Sequence, residues 1–255
     1  MMVEDVEFDD QFLLNVISRE RIQLPNVGDF DSNCWAFLSP TDPNCHIVFF
    51  GDEGILFCKP GDNEYQRQDQ FAKRLSNISS VGGKIYGIIG RVVHAFEFEK
   101  SRLELKPILE GSWLSYPTPL HIGCNYAKFY MIRSQYDDEL LIVEKQAIGL
   151  FGFEVSHFGV YKANFTRGKG WIKTNDMGTR TIFLDNYRYE GVCCSTTDPA
   201  IKKNTIYYLN DDNKYIYLWD LEEESVTMHL PSLDVSQQSS FLYWIILPGS
   251  VHKLA

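Results

Sequence analysis

Residues 159–174 read GVYKANFTRGKGWIKT, and the fold turns on how this stretch is understood. Apolar residues alternate with polar ones up to Asn164, Arg167 and Gly168 make a solvated bend, and strand-like alternation resumes at Trp171. This is the grammar of a β-hairpin: a period of two on either side of turn residues. The same grammar recurs as FLLNVISRERIQLP at 12–25, VVHAFEFEKSRLELKP at 92–107 and YIYLWDLEEESVTMHLP at 215–231. Each copy carries a polar residue (Asn15, Glu97, Asn164 or Asp220) shortly before its turn, and three of the four end in proline.

Working outward from the hairpins, short alternating runs gather in fours. Between residues 126 and 175, runs at 129–133 and 139–144 precede the hairpin. A following group takes in 181–184, 192–195, 205–209 and the hairpin from Tyr215. A preceding group takes in 78–81, 84–89, 94–98 and 103–108, and a less regular one 34–38, 46–50, 55–59 and the surroundings of Tyr65. The predicted fold class is all-β, a β-propeller of four-stranded antiparallel blades, because stacked sheets recurring at about 40–50 residues cover one another's faces. Two strands at 11–16 and 21–24 and one at 241–247 are left over, which predicts about five blades. The first is incomplete and sealed by residues 241–247 pairing with the N-terminal hairpin. Residues 69–75 could give two helical turns, and no other helical period is visible. No linker divides residues 1–255, read as one propeller domain, and residues 236–240 are the only loose insertion.

Charge and composition narrow the function. Of 255 residues 44% are hydrophobic and 14% aromatic, and the formal net charge is −10. An acidic chain opposes a phosphate backbone, so nucleic acid is not an expected partner. The N-terminus carries Glu4, Asp5, Glu7, Asp9 and Asp10 where a secretory signal needs a basic start. The apolar run at 241–247 is too short to span a bilayer. No membrane association and a cytoplasmic or nuclear location are therefore expected. Cysteines 34, 45, 58, 124, 193 and 194 lack CxxC spacing, and read as buried reduced thiols. Cys193 and Cys194 face opposite ways if they lie in a strand.

These residues together resemble the plant F-box-associated β-propeller family, the KIB-type proteins. The resemblance rests on FLLNVISRERIQLP, on GILFCKPGD at 54–62, on GGKIYGI at 82–88 and on ELLIVEK at 139–145. Its most specific part is VYKANFTRGKGWIKTNDMGTRTIFLDN at 160–186, followed by NTIYYLNDD and YIYLWDLEEES. Where the family usually reads Leu-Gly-Asp-Arg this chain has Met177-Gly178-Thr179-Arg180. The resemblance implies a substrate-recognition propeller of the kind that follows an F-box in ubiquitin-ligase adaptors. An F-box is not seen here, so the chain reads as truncated at its N-terminus and direct binding to a Skp-type adaptor is not expected.

No GxSxG, HExxH, P-loop or EF-hand pattern occurs, and Gly82-Gly83 reads as a tight turn, not part of a nucleotide loop. Histidines 46, 94, 121, 157, 229 and 252 are isolated, and Asp211-Asp212-Asn213 reads as a hairpin tip. The expectation is a non-enzymatic protein-interaction domain with no catalytic, cofactor-binding or metal residues, no cofactor, and an unidentified protein partner. The alternative is a propeller enzyme acting on a glycan or other small substrate at the central channel. Trp171 and Trp219 are expected to be buried between blades. Trp113, in the loop-like GSWLSYP at 111–117, is the candidate for a binding face.

Overall fold

The computed structural model describes residues 2–5, 10–14, 19–30, 32–37, 44–69, 75–89, 92–99, 102–110, 124–134, 139–148, 154–165, 170–185, 190–196, 199–209 and 215–229. Every regular element among them is a strand. They fall into two compact units, Met1–Ile108 and Leu109–Ala255.

The first unit holds three antiparallel sheets: β1 (Met2–Asp5), β2 (Asp10–Leu14) and β3 (Arg21–Leu24) in order; β4 (Ser32–Phe37), β5 (Ile47–Gly51), β6 (Gly54–Cys58) and β7 (Gln66–Gln68); and β8 (Leu75–Val81), β9 (Lys84–Ile89), β10 (Val92–Glu99) and β11 (Arg102–Glu110). The middle sheet explains why IVFFG and GILFC are apolar throughout instead of alternating. Ile47, Phe49, Leu56 and Cys58 face a core shared with Leu13, Leu24 and Phe30. Val48, Phe50, Ile55 and Phe57 face the other way, into a core shared with Leu75, Ile78, Ile85, Phe96 and Leu103. A strand covered on both faces has no polar side to show. The Gly82-Gly83 turn between β8 and β9 has both residues at positive φ, 56° and 70°, which a two-residue hairpin of this kind requires and side chains disfavour.

The two stacked sheets are also clasped at their outer edges. On β7, Gln68 accepts from the Leu103 N–H at 3.1 Å and donates to the Leu103 carbonyl at 2.8 Å. Its amide thus stands in for the missing neighbour strand of β11. Pro107 also lies on β11, where an edge strand tolerates its missing N–H.

The second unit is one nine-stranded sheet. In chain order its strands are β12 (Cys124–Ser134), β13 (Leu140–Ile148), β14 (Glu154–Asn164), β15 (Gly170–Thr174), β16 (Arg180–Asp185), β17 (Glu190–Ser195), β18 (Thr205–Leu209), β19 (Ile216–Asp220) and β20 (Ser225–His229). In space the order is β15-β14-β13-β12-β17-β16-β18-β19-β20. Its halves share one core in which Tyr130, Ile132, Leu141, Val143, Phe158 and Val160 meet Ile182, Leu184, Ile206, Tyr208 and Trp219.

All four hairpins quoted above form, as β2/β3, β10/β11, β14/β15 and β19/β20. The blades are not all antiparallel fours. The described residues form four sheets, not five, and β16 pairs in parallel with β18, as β12 does with β17 over two residues. Strand β17 turns back between β16 and β12, so β18 crosses to the other side of β16 and runs parallel to it. The N-terminal sheet gains β1, which pairs with β2 from Met2↔Leu13 to Asp5↔Asp10. Residues 241–247, 236–240 and 70–74 lie outside the described residues. Leu75, the last residue of the expected helical turns, opens β8.

Candidate functional site

Three connections of the nine-stranded sheet meet at Asn204, held at φ 53°, a left-handed conformation that Asn tolerates better than most residues. Its side-chain oxygen accepts from Met177 N at 2.8 Å and its amide donates to Asn175 O at 3.3 Å, fixing the β15–β16 connection. Its backbone N–H donates to Arg180 O at 2.8 Å, and its carbonyl accepts from Leu221 N at 3.1 Å at the β19–β20 turn. The connection before β16 is further set by Gly178 N donating to Asp176 Oδ1 at 2.7 Å. Arg180 Nε donates to Met177 O at 3.1 Å and Nη1 to Glu139 Oε2 at 2.6 Å.

Beside this junction, Lys202, Thr205, Leu218, Asp220 and Thr227 line a pocket of about 230 Å³. Lys202 Nζ lies 2.6 Å from Asp220 Oδ2. The other carboxylate oxygen accepts from the backbone N–H groups of Glu222 at 2.9 Å and Glu223 at 3.0 Å, closing the turn into β20. The hydrogen bond from Lys202 holds the Asp220 carboxyl below its ordinary range. The same bond raises Lys202. Both groups are driven toward their charged forms, opposite to what a proton donor or acceptor working near neutrality needs.

A second polar cluster is buried. Glu144 Oε1 accepts from Gln146 Nε2 at 3.0 Å and Oε2 from the Tyr161 hydroxyl at 3.0 Å. Lys145 stands 5.4 Å above the Tyr208 ring. His157 meets Trp219 edge-on at 6.0 Å. The Glu144 carboxylate is thereby paired on both oxygens, and a buried polar group held this way specifies packing. Among the described residues no group of three or more His, Cys, Asp or Glu is placed to hold a metal ion.

Trp219 is buried as expected, 4% exposed. Trp171 is only half-buried, on a strand that among the described residues is paired on one side alone, through Ala163↔Trp171, to β14. Trp113 lies outside the described residues. Cys193 and Cys194 are buried and in no disulfide, on neighbouring positions of β17, opposite Ile182 and Thr181. Of the junction residues, Asp220 was visible in the sequence as a pre-turn polar residue, and Arg180 as part of the Met-Gly-Thr-Arg motif. Asn204 was visible as the first residue of NTIYYLNDD, whereas Lys202 was not, since IKK reads locally as a solvated connection.

The sequence model of the KIB1-4 beta-propeller matches residues 1–236. The chain belongs to the KIB1-4 beta-propeller family. Among curated proteins none matches it. Among solved structures, the N-terminal domain of Nup159 is similar at 10% identity and a TM-score of 0.27, over 89% of this chain and 61% of that one. In this KIB1-4 chain residues 160–186 lie within that match, reach from β14 to β16 and include Met177, which is bonded to Asn204.

Proposed function

We propose that this KIB1-4 propeller is a non-enzymatic protein-interaction domain, the recognition part of an F-box-type ubiquitin-ligase adaptor, and that these 255 residues do not themselves dock a Skp-type adaptor. The observation that carries the reading is the Asn204 junction, where side-chain and backbone hydrogen bonds pin three connections while Glu222, Glu223 and Glu224 stay exposed beside them. Loops fixed on a sheet and displaying charge are a recognition surface, and recognition gains when loop ordering is completed before binding. The ion-paired Lys202 and Asp220 support binding over catalysis, for the reason of charge state given above.

The test is affinity capture with the intact chain from plant extract, each recovered protein then being remixed with the chain as a purified component. The expected result is a direct complex with a protein that is not a Skp-type adaptor. A direct complex with a purified Skp-type adaptor overturns the second half of the proposal. Failure of every recovered protein to rebind overturns the first.

A further inference from the structure

Strand β20 ends the nine-stranded sheet and, among the described residues, pairs only with β19. In an antiparallel pair, alternate residues of such a strand turn their N–H and C=O away from the partner, a template for one more strand. Proteins commonly blunt such an edge with charge. On β15, the opposite edge, Lys173 is exposed beside Ile172. Ser225, Val226, Thr227 and Met228 carry none, and all four are exposed.

The two faces of β20 differ. Val226 and Met228 sit opposite Trp219 and Tyr217, on the face that forms the core, yet are 51% and 54% exposed. The core face is therefore left uncovered at this margin by the described residues. On the other face Thr227, opposite Leu218, lines the pocket that holds Lys202 and Asp220. At the start of the strand stand Glu222, Glu223 and Glu224, all exposed, and the charge of Glu223 acts on Lys202.

We propose that β20 is the docking strand for an extended basic and apolar segment of a partner protein, which adds to the sheet edge; this rests on the interaction reading above. The incoming backbone hydrogen-bonds to β20. Its side chains on one face cover Val226 and Met228, those on the other reach the pocket beside Thr227, and lysine or arginine near one end meets Glu222, Glu223 and Glu224. Backbone pairing supplies the affinity in this mode and the alternating side chains the selectivity. Charge complementarity sets partner choice and association rate.

The experiment is fluorescence anisotropy on the intact chain, with a dye-labelled alternating valine–lysine peptide of about ten residues, enough to span an ordinary strand. A valine–glutamate peptide of the same length is the control. The valine–lysine peptide should bind saturably and the control should not. Val226→Lys combined with Met228→Lys, at positions too exposed to be needed for folding, should weaken binding about tenfold or more by placing like charge on the edge. Reversing Glu222, Glu223 and Glu224 to lysine should exchange the peptide preference. Absence of saturable binding, or unchanged binding by the doubly substituted β20 variant, overturns the proposal. So does a dimer that this variant dissociates, which gives the edge to a second copy. Slow hydrogen exchange in the free monomer at those amides of residues 225–229 that turn away from β19 also overturns it, because the chain then covers its own edge. A captured partner held equally by the variant removes this surface while leaving the interaction reading intact.

Discussion

His46 stacks on Phe98 with ring centroids 3.8 Å apart and planes 7° from parallel, and its Nδ1 lies 2.7 Å from Asn44 O. Burial lowers its pKa from 6.5, against the Asn44 hydrogen bond that raises it; Lys59 lowers it further and Asp62 raises it. The native state therefore holds the imidazole neutral where the unfolded chain takes up a proton. This contribution is complete above pH 6.5 and is lost as pH falls from there through the depressed native value. Denaturant titrations at pH 7.5 and 5.5 should show lower stability at the acid end, by at most about 1.4 kcal/mol per pH unit from this group. His46→Phe should reduce that difference. An equal pH dependence in the variant would assign the loss to other groups. Burial likewise separates the two tryptophans. Trp219→Ala should cost about 3–5 kcal/mol, as buried aromatic truncations do, and Trp171→Ala clearly less, because its strand is an edge. Equilibrium unfolding of the two variants side by side checks this, and equal losses would contradict the burial difference.

At the scale of elements, the Asn204 junction makes a prediction that separates conformation from bonding. Asn204→Gly keeps the positive φ and loses the side-chain bonds to Met177 and Asn175, whereas Asn204→Ala loses the bonds and strains the backbone. Gly should cost about 1–2 kcal/mol, as for hydrogen bonds at a part-buried site, and Ala more. Thermal melts giving the reverse order would show that the φ value is not what selects Asn. The hairpins were legible in the sequence because their register is local: the turn and the period of two determine both strands. The apolar runs of β5 and β6 were legible as strands through their Val, Ile and Phe content. The parallel step from β16 to β18 was not, since it depends on which non-neighbouring strands lie side by side, and no turn residue encodes that. Strand β1, MVED, lacked an apolar alternation to announce it. Trp171 was misplaced by aligning repeats as equivalent when β15 ends its sheet. The pocket was half legible: Asp220 was marked by its turn, but Lys202 reaches it from a connection 18 residues earlier in the chain.

For the whole molecule, a charge of −10 and an uncharged, exposed terminal strand point the same way. The acidic surface attracts basic partners over about a Debye length, roughly 8 Å at physiological salt, and the strand edge supplies the short-range contact. Binding should therefore weaken as salt rises while the fold, held by apolar cores in both units, does not. The central claim is that this KIB1-4 propeller binds a protein and leaves it unchanged. Its most direct test is a titration of the purified chain with a purified captured partner, followed by mass analysis of the recovered partner. The expected result is a saturable, stoichiometric complex, weakened by added salt, from which the partner returns with its mass unaltered. Recovery of a cleaved or modified partner from mixtures containing far less chain than partner would contradict it.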